Sequence, residues 1–383
     1  MNSVGELAEK YNIHKVDEHA ARLSEVCPVA RVNPDFSPSQ IAMLASGKPD
    51  KLLASQLIWE CLACGLCKIT ADVNMSYFIR DSREKASKEG YFPTHTHGGM
   101  FISAQRLSTN PERFKKSYGK PRRNNWLEED LKVESETGKY LFWAGGASFF
   151  DAAMPELELK ITNSARFAVR LLNTLGIKPV VLENERFSGH DLLWTGDREG
   201  FKQLAEQNIK AITKSKARVV VSASPEDYYT LSKSYPEFFG DLDFKVLHIT
   251  EILAQKLDRL KFYELKKRVT YHDSCRLGRG MGVYDPPRAI LRAIPGIELV
   301  EMPTTREDAS CCGTSCWIQC SRYSKMMQVN RLREATGVGA ELLVSACWEC
   351  TIHLRCAVNP KSWKQVFVPI EDLITLLSSL LRE

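Results

Sequence analysis

No stretch of this 383-residue sequence strings together the ~18 uninterrupted apolar residues that a membrane-spanning helix needs. The longest apolar run, Leu373 to Leu381, is broken by serines, so no membrane span is expected. G-x-G-x-x-G and Walker A motifs are also missing, which argues against a flavin, nicotinamide or nucleotide site of the chain's own. Charge of one sign is scarce: 52 Lys+Arg against 47 Asp+Glu leave a formal +5. The basic stretches 106–123 and 256–268 lack a helix-turn-helix or interleaved aromatic residues, so nucleic acid is not an expected partner and a protein-docking surface is. The twelve cysteines amount to about 3% of the chain, far below the level of a disulfide-built scaffold. Met1 to Lys15 carries no apolar secretory core. The expectation is a cytoplasmic protein, in which clustered cysteines serve metal or redox chemistry.

The organisation changes along the chain. Residues 1–110 carry helical periodicity around Cys61-Leu-Ala-Cys64-Gly-Leu-Cys67, and 111–138 read as a basic linker. From Lys139 onward short β-branched or aromatic runs alternate with amphipathic segments, which predicts α/β units with parallel sheets. Expected strands are 140–144, 179–182, 219–223, 245–248, 268–271, 298–302, 342–345 and 365–368, with helices such as Glu199–Thr213 and Ser324–Thr336 between them.

An internal repeat divides this region into 139–262 and 263–383. Val221-Ser-Ala-Ser224-Pro-Glu-Asp227 aligns with Val344-Ser-Ala-Cys347-Trp-Glu-Cys350, Phe187-Ser188-Gly189 with Cys311-Cys312-Gly313, and Gly145-Gly146 with Ser274-Cys275. The plan is shared and the cysteines are not.

Cys275, Cys311, Cys312, Cys347 and Cys350 follow C-x35-C-C-x34-C-x2-C, with Gly313 after the pair. Each group follows an expected strand, and parallel strands deliver their carboxyl ends to one edge of a sheet. Five convergent thiols exceed what one tetrahedral zinc uses, so soft thiolate ligation in this number points to iron–sulfur. Zinc on four of the five, or inert buried cysteines, are the other readings. The pattern is similar to the CCG domain of the heterodisulfide reductase B subunit and its relatives. That resemblance implies a non-cubane [4Fe–4S] cluster on these five residues. It also implies that Ser188, Ser224 and Asp227 stand where a first copy would have ligands.

Cys61, Cys64 and Cys67 have C-x2-C-x2-C spacing, but position 71 is Ala71. In two-cluster ferredoxin runs the fourth cysteine, followed by proline, serves the other cluster. Cys27-Pro28 lies upstream, and the positions completing its run are Asp17, Ala20 and Leu23. One ligand set (17, 20, 23, 71) is therefore erased and the other (Cys27, Cys61, Cys64, Cys67) is whole, which predicts one [4Fe–4S] cubane. A zinc knuckle or a three-iron cluster on three cysteines competes with it. Trp59-Glu60-Cys61 and Ile79-Arg80 resemble the heterodisulfide reductase C subunit.

Taken together the chain resembles a C–B fusion: a ferredoxin-like helical domain followed by two α/β CCG-type domains. The resemblance implies an electron-transfer subunit of an oxidoreductase complex, with a flavoprotein or iron–sulfur partner similar to heterodisulfide reductase A and a thiol or disulfide substrate. Pure relay to a quinone-linked or aromatic-ring-reducing subunit, and a zinc-bound scaffold, are the alternatives. Cys316 and Cys320 are expected on one face of the helix after Cys312 as packed apolar groups, Cys356 has no expected role, and His272 and Asp273 are expected to brace a turn, with protonation of a substrate sulfur as the other reading.

Overall fold

The computed structural model describes residues 3–110, 126–313, 315–318, 320–358 and 368–382. Most of the basic run 106–123 lies outside them; within them Arg106 pairs with Asp197 at 2.7 Å. The first hundred residues form short helices whose ends are written locally. Ser37 caps Pro38–Gly47 through a capping box with Gln40, with proline at the first turn, satisfying backbone donors the helix cannot use. No helix among the described residues is long and apolar enough to cross a membrane.

Two parallel sheets follow. The first is β1 (Tyr140–Trp143), β2 (Val219–Ser222) and β3 (Lys245–His248), in that order. The second contains β4 (Lys267–His272), β5 (Ile297–Leu299), β6 (Leu342–Ser345) and β7 (Ile370–Asp372), ordered β5-β4-β6-β7. The repeat is thus written in topology: β1-β2-β3 corresponds to β4-β6-β7. Even the edge strand β5 has a remnant in the first copy, because Val180 bridges Leu141 in parallel.

The expected strand 179–182 is reduced to bridges from Val180 to Glu134 and Leu141; Pro179 has no N–H to extend the ladder. The expected strand 365–368 falls largely on 365–367, outside the described residues; a strand is formed at Ile370–Asp372. Side chains alternate across each sheet as the two-residue strand period requires. Leu141, Trp143, Val220 and Leu343 enter one core, shared with Ile13, Ile41 and Phe78 of the amino-terminal helices. Phe142, Val221, Val344 and Trp348 enter the other.

The helix Met75–Lys88 docks the amino-terminal helices on the first sheet's module. Arg80 holds Glu237 bidentately at 2.8 and 2.7 Å, and Tyr77 and Tyr229 share a hydroxyl hydrogen bond of 2.7 Å. Arg83 is fully buried and donates to the carbonyls of Ile58 (2.8 Å), Trp194 (2.9 Å) and Cys61 (2.6 Å).

At the end of β3, His248 is buried, with Nε2 3.2 Å from the Ala223 carbonyl and Nδ1 2.7 Å from Thr250 Oγ1. The Thr250 backbone N–H also donates to Nδ1, at 3.4 Å, so Nδ1 accepts and the ring is neutral, donating from Nε2. Burial pushes its pKa down to about 4, below the unfolded value of about 6.5. The unfolded chain therefore binds the extra proton between these values, and stability falls as pH drops through that window. Anaerobic urea unfolding at pH 7.5 and pH 5 should show a loss of about 2 kcal/mol in the wild type that is absent from His248→Gln. Equal pH dependence in both proteins would remove His248 as its source.

Candidate cysteine centres

Cys27 ends the helix Ala20–Val26 and Cys61 ends Leu57–Glu60. The loop after Cys61 turns back through Ala63 (φ 47°) and Gly65 (φ 81°), and Cys67 stands in the first turn of Leu66–Ala71. Positive φ is the conformation glycine adopts without strain, and here it lets a short loop present three thiols to one point. All four sulfur-bearing residues line one pocket whose other walls include Leu23, Phe36, Ile41 and Met75. Burial pushes the Cys27 thiol up to about 12 and Cys61 to about 11. Cys67 is raised by burial and then by Cys61, Cys27 and Cys64. Deprotonated together, four thiolates in this apolar cavity would repel one another unless a cation stood among them, and soft iron or zinc is the kind that suits sulfur. Of the erased set, Leu23 is packed in the core and Ala71 is buried, while Asp17 is exposed.

The second set gathers at the carboxyl edge of the second sheet. β4 and β6 pair so that His272 lies beside Ser345; Cys275 follows the first and Cys347 the second. Sulfur contacts link Cys275 to Cys311, Cys311 to Cys312, Cys312 to Cys350 and Cys350 to Cys347. All five expected residues therefore converge. The hydrogen bond with Cys311 brings the Cys275 thiol down to about 6, assisted by Arg276 and Arg279. His353 Nδ1 lies 3.4 Å from Cys312 Sγ. His272 accepts from Arg331 Nε at Nδ1 (3.0 Å), which leaves its proton on Nε2, and its ring stands beside Cys312 and Cys350, with ligand atoms of the three within 4.8 Å of one another. Asp273 braces the turn as expected, through Arg288 at 2.7 Å and the Arg306 N–H at 2.8 Å. Trp348 is fully buried in the second core and donates to Ser164 Oγ at 3.0 Å.

At the matching positions of the first copy, Asp227 is buried beside Ser188 and Trp143, and Ser224 Oγ donates to Glu349 Oε1 at 3.0 Å. A Cβ on Gly145 would meet the Asp227 carboxylate at 2.1 Å. Polar side chains fill this end of the first sheet.

The two centres are joined by arginines that sequence reasoning passed over. Arg279 Nε donates to the Cys64 carbonyl at 2.8 Å while its Nη1 holds Ala309 O at 2.7 Å. Its charge is felt by Cys64, Cys275 and Cys311 alike. Arg276 donates to Ala63 O at 3.3 Å. Their only sequence signal is closeness to Cys275. Cys316 and Cys320 do not share a helix face: Ser321 caps the helix and starts it at Arg322, Cys316 sits at φ 51° and is buried, and Cys320 is exposed. Cys356 Sγ lies 2.7 Å from Lys325 Nζ.

The family model for the CCG cysteine-rich domain matches residues 154–232 and 269–355, both copies of the repeat. A probable iron–sulfur-binding oxidoreductase, FadF of Bacillus subtilis, is 30% identical over 363 residues, covering 90% of this chain and 48% of its own length. The chain thus spans about half of that relative. The D subunit of the dihydromethanophenazine:CoB–CoM heterodisulfide reductase of Methanosarcina acetivorans is 30% identical over 333 residues, 84% of this chain and 77% of that protein. An EtfAB:quinone oxidoreductase of Syntrophomonas wolfei is 29% identical over 276 residues, 68% of this chain and 37% of its own. A hypothetical protein from Helicobacter pylori shares the fold, with a TM-score of 0.54 at 12% identity over 88% of this chain and 65% of that one. With soft thiol sets at both ends and both CCG regions matched, the chain belongs to the CCG-domain iron–sulfur oxidoreductases, the family that includes the heterodisulfide reductase D protein.

Proposed function

We propose that the chain is a two-centre electron-transfer subunit, with a cubane [4Fe–4S] cluster held by Cys27, Cys61, Cys64 and Cys67 and a non-cubane [4Fe–4S] cluster held by Cys275, Cys311, Cys312, Cys347 and Cys350. Bound there, the clusters supply one-electron chemistry at potentials set by charge and hydrogen bonds around the sulfurs. The observation that carries this reading is Arg279. One guanidinium grips the Cys64 loop and electrostatically faces Cys275 and Cys311, so the two thiol sets are neighbours.

The protein's own groups have distinct tasks. Arg276 and Arg279 offset thiolate charge, and Arg83 fixes the Cys61 carbonyl. His353 stands at Cys312, where its ring can deliver a proton to a sulfur leaving a disulfide substrate, while His272, held neutral by burial and by Arg331, orients the other side of the set. A flavoprotein or iron–sulfur partner, of the kind heterodisulfide reductases use, exchanges electrons with the first centre.

Arg279→Gln should leave iron and sulfide content unchanged and shift at least one centre's reduction potential to more negative values, because a cation near an anionic centre favours its reduced form. Potentiometric titration followed by EPR reads this. Unchanged potentials for both centres would sink the bridging role.

Pure relay to another catalytic subunit is favoured by one feature: Ser188, Ser224 and Asp227 replace the thiols of the first copy. Adding a disulfide or thiol to the purified chain separates the two readings. A direct substrate perturbs the second centre's spectrum, and a relay leaves it unmoved.

A further inference from the structure

A separate group of ligand-type side chains lies where the first copy of the repeat meets the loop after Cys312. His190 and Asp191 open the helix His190–Trp194, Glu226 stands in the first turn of Pro225–Tyr229, and Cys316 comes from the other module. Ligand atoms of His190, Asp191 and Cys316 all fall within 4.8 Å of one another. Glu226 Oε1 is 3.8 Å from His190 Nε2. His190 and Asp191 are only 3% and 5% exposed, yet His190 Nε2 has no hydrogen-bond partner, and Asp191, beside the Trp317 indole, leaves Oδ1 without a close one. Buried polar atoms are rarely left unsatisfied.

The outer atoms are, by contrast, well held. His190 Nδ1 lies 2.8 Å from Thr230 Oγ1, which leaves Nε2 as the ring nitrogen open to a ligand. Asp191 Oδ2 accepts from Gln105 Nε2. This is how metal-binding histidines and carboxylates are oriented. Cys316 and Trp317 adopt φ of 51° and 54° in the turn Ser315–Ile318, a conformation that disfavours side chains. Burial raises Asp191 to about 7, Glu226 well above the usual range and Cys316 to about 11. The carboxylates of Asp227 and Glu349 and the guanidinium of Arg276 face the same group, and Arg83 reaches Cys316.

We propose that His190, Asp191, Glu226 and Cys316 bind a single zinc ion, distinct from both iron–sulfur centres. Four donors of mixed nitrogen, oxygen and sulfur type make a closed structural set for this ion. Three of them are anionic once deprotonated, and the divalent cation with Arg276 balances that charge. The ion ties the 315–318 turn, which belongs to the cluster-bearing copy, to the copy that has no cysteines.

The test uses the full chain, purified without oxygen and given one equivalent of Zn2+ before desalting. About one zinc should remain per chain and should fall to under about a tenth of an equivalent in His190→Gln and in Cys316→Ser, with iron and sulfide unchanged. Zinc-edge X-ray absorption on the wild type provides a readout independent of any variant: about one sulfur near 2.3 Å with nitrogen or oxygen near 2.0–2.2 Å is expected. No retained zinc, zinc unaffected by both substitutions, or a sulfur-only shell would each overturn the proposal.

Discussion

Replacing Cys27 with serine should roughly halve the iron content, from about eight to about four atoms per chain, and Cys312→Ser should do the same from the other end. The two losses should be spectroscopically complementary. Cys27→Ser leaves the second centre's signal, and Cys312→Ser leaves the first. The reasoning for Cys27 is the more exposed, since thirty-odd residues separate it from Cys61. Its support is that Cys27 shares the pocket of the other three thiols and that its charge acts on Cys67. Cys312 is central to the second set, touching Cys311, Cys350, His272 and His353. Iron analysis with EPR on anaerobic material decides the matter. Unaltered iron and redox signal in Cys27→Ser would reduce the first site to three thiols.

Gly196→Ala should destabilise the chain by about 2–5 kcal/mol, combining left-handed backbone strain with overpacking. Gly196 has φ 90°, and a Cβ there would lie 2.5 Å from the carbonyl oxygen of Arg83 and 2.7 Å from its carbonyl carbon. The obstacle is backbone in the middle of Met75–Lys88, so no rotamer change relieves it. That helix would have to move, and Arg83 carries the Cys61 carbonyl, the Ile58 carbonyl and the Trp194 carbonyl with it. The damage therefore extends to the first cysteine set. Denaturant unfolding and iron retention should fall together. A change in unfolding free energy under about 0.5 kcal/mol, within the range of an ordinary surface substitution, would show that this contact is not tight in solution.

Much of the architecture was legible because it is periodic. The unbroken apolar runs of Val219–Ser222 and Leu342–Ser345 specify strands buried on both faces, and the repeated Val-Ser-Ala motif placed them at equivalent positions in two sheets. Where periodicity was weak, sequence reasoning overreached. Pro179 cannot donate to a ladder, so a run that looks apolar yields isolated bridges. Ser321 delays a helix that residue spacing alone would have begun at Cys316, because its hydroxyl satisfies the Tyr323 and Ser324 amides at 3.2 and 3.4 Å.

The cysteine groupings themselves are properties of the chain: ligand spacing follows from turn geometry and strand order, and both are local or repeated enough to be read in one dimension. The juxtaposition of the two groups is not. Arg279 and Cys64 meet across 215 residues, and the orphaned atoms of His190 and Asp191 acquire Cys316 as a neighbour only through module packing. Which charges face which sulfurs is settled by burial and close packing between distant segments, and no spacing along the polypeptide encodes it.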